Sequence, residues 1–264
     1  MKTATTPTMP VHPLANHRAH DYRALVREWR VLAKEAGLKM QAFARVGGQL
    51  PVYVLRTKDA ANDRRPTIYL SAGIHGDEAA APWGLLDWAR ENVALLREGR
   101  FLIFPVLNPH GLILNTRADQ DGADLNRSFN VPEHPLITVW RQLVEGREFS
   151  LALCLHEDYD GQGCYLYELN PRGPVVGHAI LNDCSLVLPI DQRKRIDGRA
   201  AKGGLIVRRM LPEMPGHPEA IVLHLMGTPL TLTFESPSEF SLHDRIEAQK
   251  TFIRSALEHG LRRG

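Results

Sequence analysis

At 264 residues the chain has room for one large domain or two small ones, and a single domain of this size buries roughly three quarters of its unfolded surface without help from disulfides. Apolar residues at 44% and charged residues at 23% are ordinary for a globular protein and exclude a disordered or fibrous chain. The 32 basic and 30 acidic residues leave a formal charge of +2, which gives no electrostatic case for nucleic acid or an anionic membrane as a partner. Three cysteines, Cys154, Cys164 and Cys184, cannot all pair and show no C-x-x-C spacing, so a reducing compartment is expected. The first twenty residues lack the apolar core of a signal peptide, and no run is long enough to span a bilayer. A soluble, cytoplasmic protein is the expectation.

In chain order, residues 1–20 are polar and rich in Pro and His, and read as a loosely ordered arm ahead of one domain over 21–264. From Asp21 to Glu35, Tyr22, Leu25, Val26, Trp29, Leu32 and Ala33 recur at helical spacing, and Gly37 supplies a stop. Two β-rich runs, 40–46 and 50–55, flank Gly47-Gly48 and predict a hairpin. Residues 67–72 and 101–107 read as buried strands with a helix over 78–97 between them. Residues 150–156 and 230–235 read as two more buried strands. Ser241 and Asp244 resemble a capping box that opens a final helix running to about Glu258. Apolar runs without alternation imply strands covered on both faces. The expected fold is therefore a single α/β domain, with a mixed, largely parallel twisted sheet and helices on both faces. Between His156 and Leu230, frequent Gly and Pro (Gly161, Gly163, Pro171, Gly173, Pro212 and Pro215 among them) suggest loops that carry substrate contacts.

The segment Ser71-Ala72-Gly73-Ile74-His75-Gly76-Asp77-Glu78 leaves a buried strand and enters a helix. His75 and Glu78 are three apart, so an imidazole and a carboxylate can converge on one point at the helix entrance. Of the twelve histidines, only His75 has a glutamate three residues on. A pair of this kind is common without a metal. Catalytic zinc takes three protein ligands and keeps a fourth position for water. His156 is the natural third ligand, because it ends a predicted strand at the edge where open α/β sheets bind their ligands. Glu157 and Asp158 follow it, and either could be a ligand or a supporting partner instead.

Further on come Asn108-Pro109-His110-Gly111, Asn115-Thr116-Arg117 and Asp124-Leu125-Asn126-Arg127-Ser128. The order H-x-x-E, N-P-x-G, an arginine, D-x-N-R, a strand-ending histidine and a late T-F-E resembles the zinc carboxypeptidase family, the carboxypeptidase A-like metallopeptidases. The stretch 108–129 looks most like their bacterial murein peptide amidase branch, and the resemblance runs from about Thr67 to the end. It implies a zinc ion held by His75, Glu78 and His156, with Asp124 orienting the first histidine. It also implies that Arg117 binds the carbonyl oxygen, that Asn126 and Arg127 grip the substrate's terminal carboxylate, and that Glu235 is the catalytic glutamate. General chemistry agrees with these roles. A glutamate can take a proton from water and return it to a leaving amine, and a planar guanidinium can bond both oxygens of a carboxylate.

The implied substrate is a peptide or an acylated amino acid with a free carboxylate. Members of the family often place a mobile tyrosine some twenty residues before the catalytic glutamate, but no tyrosine lies between Glu168 and Glu235 here. Such a contact would have to come from Tyr159, Tyr165, Tyr167, His217 or His224. The related succinylglutamate desuccinylase and aspartoacylase branch shares the same ligand logic, so an N-acyl amino acid deacylase is the alternative activity. One helix alone follows Glu235, and N-P-H-G fits the peptidase form better. A binding protein that kept the metal and lost catalysis would have no use for Glu235 and Arg117. Beside the third ligand, Asp158 or Asp160 could receive an ammonium group of the substrate; a solvated acidic turn explains them equally well.

Overall fold

The structure, a computed structural model, describes residues 18–57, 65–131, 133–208 and 216–261. Most of the expected arm, residues 1–17, and Pro212 and Pro215 lie outside them. Arg18–His20 form a single 3-10 turn that docks on the domain: the Trp83 indole donates to Ala19 O at 3.0 Å, and His20 Nδ1 meets Leu112 O at 2.8 Å.

Helix α1 (Tyr22–Ala36) starts where the Asp21 carboxylate accepts from Ala24 N–H, and it ends at Gly37, whose φ of 70° closes the last turn. The hairpin follows as β1 (Lys39–Val46) and β2 (Leu50–Arg56), then β3 (Thr67–Ser71). The helix expected over 78–97 is two helices, α2 (Ala80–Glu91) and α3 (Val93–Glu98). They break at Asn92, whose side-chain amide donates to Trp88 O at 2.7 Å. Next come β4 (Phe101–Phe104), which stops at Pro105, α4 (Pro109–Leu114), α5 (Pro135–Val144) and β5 (Phe149–Asp158). The Gly- and Pro-rich stretch holds β6 (Tyr165–Leu169), α6 (Gly177–Cys184), a small hairpin of β7 (Arg195–Ile196) and β8 (Arg199–Ala200), β9 (Leu205–Arg208) and α7 (Glu219–Leu225). Strand β10 (Thr231–Pro237) and helix α8 (Leu242–Leu261), capped by the Ser241 hydroxyl, complete the described chain.

Among the described residues the main sheet has eight strands in the order β1-β2-β4-β3-β5-β10-β6-β9. The central run β4-β3-β5-β10 is parallel, as is β6 with β9; β1-β2, β2-β4 and β6-β10 are antiparallel. Alternate residues of the central strands feed two cores. Leu151, Leu153, Leu155, Leu232 and Phe234 pack against α1, α2, α6 and α8, while Ala152 and Cys154 face α5 and α7 with Trp140 and Val222. Each fully buried Leu or Phe contributes about 1.5–3 kcal/mol, and both sheet faces are covered in this way. The fold is the single α/β domain with a mixed, mostly parallel sheet that the sequence predicts. No helix among the described residues is long and apolar enough to cross a membrane.

Parallel strands deliver their C-terminal ends to one edge, and that edge gathers the chemistry. His75 and Glu78 follow β3, Asn108 follows β4, His156 lies two residues before the end of β5, and Glu235 pairs with His156 across the β5–β10 register.

Candidate metal centre and adjoining cavity

The loop after β3 is held on both sides. Leu107 N–H donates to Ala72 O, Asn108 N–H to Gly73 O at 2.7 Å, and Gly76 N–H to Thr116 O at 3.0 Å. Asn108 caps α4, its side chain accepting from Gly111 N–H at 2.8 Å and donating to Ala118 O at 3.1 Å. The N-P-H-G motif is therefore a short capped helix that fixes the arginine-bearing loop against the histidine-bearing loop. Gly76 shows how close they come: a Cβ there would lie 1.8 Å from the carbonyl carbon of Gly111.

His75, Glu78 and His156 are all buried, and one ligand atom of each lies within 4.8 Å of the others. The Nδ1 atoms of both histidines face the same carboxylate, His75 at 2.5 Å from Glu78 Oε1 and His156 at 2.9 Å from Oε2. The opposite nitrogen of His75, Nε2, donates to Asp124 Oδ1 at 3.0 Å. Asp124 also accepts from Asn126 N–H and, at Oδ2, from Nε and Nη2 of Arg117 at 3.1 and 2.9 Å. One carboxylate thus orients a histidine, an arginine and the backbone of the D-x-N-R turn. Two imidazole nitrogens and a carboxylate oxygen on rigid supports, with the histidine tautomer set from behind, fit a single zinc ion.

The charges are strongly coupled. Burial opposes the His75 proton, but Glu78 and Asp124 outweigh it and raise its pKa to about 9. Burial alone would raise Glu78; the two histidines instead hold it down at about 2. Desolvation also works against ionised Asp124, yet its bonds to His75 and Arg117 keep its carboxyl below the usual range. Behind the ligands, Glu157 accepts from Ala80 N–H and from Arg245, while Gln249 donates to His156 O at 2.6 Å. Glu157 therefore points away from the ligand cluster as a supporting partner.

A cavity of about 240 Å³ opens beside the three candidate ligands. Its floor is one face of the sheet, with Cys154 and His156 on β5, Thr231, Thr233 and Glu235 on β10, and Tyr165 and Tyr167 on β6. Arg117, Asn126 and Arg127 line it from the loop side. Asn126 Oδ1 accepts from Glu219 N–H at 3.1 Å, and Arg127 Nη1 donates to Asn126 O at 3.0 Å. Burial pushes the Glu235 carboxyl well above its ordinary range, and nearby His156 only partly offsets this. Among the described residues no hydrogen bond or ion pair holds the Glu235 carboxylate.

All eight residues singled out in the sequence meet at this edge. Other expectations fare differently. Asp158 lines the cavity, but its Oδ1 accepts from Asp160 N–H and its Oδ2 from the Tyr165 hydroxyl at 2.9 Å, and Asp160 is exposed outside the cavity. Of the five candidates for the missing tyrosine, Tyr165 and Tyr167 reach the cavity; Tyr159 is 77% exposed, and His217 and His224 do not line it. Sequence reasoning missed Glu219, which sits at the start of α7 and accepts from the hydroxyls of Tyr69 and Ser71 beneath the floor. It also missed Arg208 on β9. The alternation of Tyr165, Tyr167 and Leu169 is the signal that could have placed β6 and its neighbour beside Glu235.

Comparisons with known proteins bear on the fold. A protein from Shewanella denitrificans described as a candidate metallopeptidase superimposes with a TM-score of 0.81 at 21% identity, covering 91% of each chain. A metallo-carboxypeptidase from Burkholderia cenocepacia gives 0.67 at 14% identity over 90% of this chain and 68% of its own. Carboxypeptidase A from Helicoverpa armigera gives 0.63 at 15% identity over 91% and 72%. The chain has the metallocarboxypeptidase fold. Within this fold, residues 64–141 match the sequence model of the succinylglutamate desuccinylase/aspartoacylase catalytic domain. That stretch carries His75, Glu78, Arg117, Asp124, Asn126 and Arg127, and stops before His156 and Glu235. Mouse cytosolic carboxypeptidase 1 is 42% identical over an alignment of 84 residues that covers 28% of this chain and 7% of that relative. The resemblance read from the motifs is thus met by the desuccinylase/aspartoacylase model over residues 64–141 and by a short match to a carboxypeptidase.

Proposed function

We propose that the chain is a zinc-dependent hydrolase that cleaves an amide bond next to a free carboxylate, as a metallocarboxypeptidase or peptide amidase acting in the cytoplasm. One observation carries the reading. His75, Glu78 and His156 converge on one point, while Glu235, a carboxylate without a structural partner, faces the same cavity from the neighbouring strand. A purely structural ion would need neither an unpartnered acid nor an open side. When bound, zinc would supply a Lewis acid that polarises a carbonyl and acidifies water toward about pH 7.

The chain's own residues do the rest. Glu235 takes the proton of the attacking water and returns it to the leaving amine; burial raises its affinity for that proton. Arg117, oriented by Asp124, offers its guanidinium to the oxygen that becomes negative. The Arg127 fork bonds the substrate carboxylate beside Asn126, which sets the scissile bond relative to Glu235.

Deacylation of an N-acyl amino acid uses the same groups, and the match of residues 64–141 to the desuccinylase/aspartoacylase model supports it as the second reading. Glu235→Gln tests both. Amide hydrolysis should fall by about 10²-fold or more while zinc content stays near one per chain. An undiminished rate would remove Glu235 from the mechanism.

A further inference from the structure

Pro218, Ala220 and Ile221, at the start of α7, give the cavity one of its walls. The backbone of this wall lies along the turn that carries Asn126 and Arg127. A Cβ at Gly216 would lie 2.3 Å from Arg127 O, His217 N–H donates to Asn130 Oδ1 at 2.8 Å, and Glu219 N–H donates to Asn126 Oδ1 at 3.1 Å. A backbone N–H can only donate, so the Asn126 atom that meets it is the oxygen. The amide nitrogen of Asn126, which no hydrogen bond among the described residues takes, is therefore the end left to the cavity.

The side chain of Glu219 decides where that N–H stands. One of its oxygens accepts from the Tyr69 hydroxyl and the other from the Ser71 hydroxyl at 2.5 Å. Tyr69 in turn accepts from the Trp140 indole at 2.9 Å, and Trp140 packs edge-on against Phe129, with 4.7 Å between ring centres. A single buried carboxylate thus ties the start of α7 to β3, the strand that leads to His75 and Glu78. Helix α7 is seven residues long and has no side-chain cap, so it has little rigidity of its own. Burial pushes the Glu219 carboxyl above its ordinary range, and the hydroxyls of Ser71 and Tyr69 oppose the shift. A buried acid costs stability that an apolar side chain of similar volume would not, so packing alone does not account for a glutamate here.

We propose that Glu219 is a positioning residue for substrate binding: by pinning the start of α7 to Tyr69 and Ser71, it holds the Asn126 amide with its donors turned to the substrate carboxylate. This role rests on the reading that Asn126 and Arg127 grip that carboxylate, and experiment separates the two.

The probes are N-benzoylglycine and N-benzoylglycinamide, which differ only at the carboxylate, titrated onto zinc-loaded protein. Wild type should bind the acid about 10-fold or more tighter than the amide, and Asn126→Ala should lower that ratio several-fold. Glu219→Met, of similar length but without acceptors, should lower the ratio as much as Asn126→Ala does. Its zinc affinity should stay within about 2-fold of wild type, and Glu219→Gln, which keeps an acceptor, should recover most of the acid preference. In the Asn126→Ala background, Glu219→Met should change the ratio by less than about 2-fold, because both residues act through one contact. If Glu219→Met does not fold, Tyr69→Phe decides: it removes one bond to Glu219 from outside the cavity and should lower the ratio several-fold. An acid preference that Asn126→Ala lowers and the Glu219 and Tyr69 variants leave intact overturns the role of Glu219 and spares the carboxylate reading. A full further loss in the Asn126→Ala background, or an equal loss of zinc affinity, also overturns it. No acid preference in the wild type removes the carboxylate reading and this role with it.

Discussion

Replacing Gly76 by alanine should uncouple metal binding from folding. A methyl group at this position would meet Gly111 C at 1.8 Å, Leu112 N at 2.2 Å and Gly111 O at 2.3 Å, all of them backbone. Carbon atoms in contact prefer about 3.5–4 Å, so the two loops would have to part by about 1.5–2 Å. Gly76 is the residue after His75 and two before Glu78, while a metal site tolerates only about 0.2 Å in its ligand distances. Even shared between both loops, the shift exceeds that tolerance several-fold. Forced overpacking costs about 1–3 kcal/mol, which a domain of this size can absorb. Gly76→Ala should therefore stay folded and lose most of its zinc affinity, measured by competition with a chromophoric chelator and checked by thermal melting. Gly48→Ala is the control, with φ at +68° and nothing within 4 Å of the added carbon. It should lose about 1–2 kcal/mol of stability and keep its zinc affinity. Unchanged zinc affinity in Gly76→Ala would refute the view that this close approach positions the ligands.

Other perturbations have equally definite outcomes. Asp124→Asn removes the charge behind His75 and should weaken zinc binding by about 10- to 100-fold; an unchanged affinity in the same competition assay would contradict the orienting role. Arg245→Met leaves Glu157 buried without its cation and should cost about 3–5 kcal/mol in denaturant unfolding, most of it recovered by adding Glu157→Gln. In metal-free protein the His75 pKa is raised from 6.5 to about 9, so its contribution to stability is complete below pH 6.5 and is lost as pH rises through about 9. Zinc must displace that proton, so its affinity should rise with pH over the same interval, measured in chelator-buffered zinc; an affinity that falls from pH 6.5 to 9 would contradict this.

The legible parts of the molecule are those where a single physical cause dominates. Strands β3 and β4 and the first part of β5 are covered on both faces, so they are apolar at nearly every position, and β3 and β5 are found within two residues of where they end. Helix α1 carries an amphipathic stripe between an aspartate cap and a glycine stop. The candidate ligands are legible because His75 and Glu78 lie in the segment that leaves β3, and His156 lies near the end of β5. Strands β6 and β9 are harder to see. They are five and four residues long, they follow loops rich in glycine, and their inward residues Tyr167 and Arg208 are polar because they face a cavity instead of a core. Helix α5 does carry a readable pattern, Pro135 in its first turn with Leu136, Ile137, Trp140 and Val144 buried. Asn92 divides the helix after Glu78 by a local side-chain bond to Trp88, which hydrophobic periodicity does not register. Glu219 escapes notice because nothing in its local sequence shows that it lies beneath the cavity floor.

The central claim is that this cavity hydrolyses amides with a metal held by His75, Glu78 and His156. The direct measurement is release of free amine from a panel of peptides with free C-termini, murein-type γ-glutamyl peptides and N-acyl amino acids, before and after chelation and again with zinc restored. The account predicts cleavage of at least one class, lost with the chelator and recovered with zinc, and the class cleaved separates peptidase from deacylase. Cleavage that survives complete removal of the metal, or no cleavage of any class with one zinc bound per chain, would contradict it.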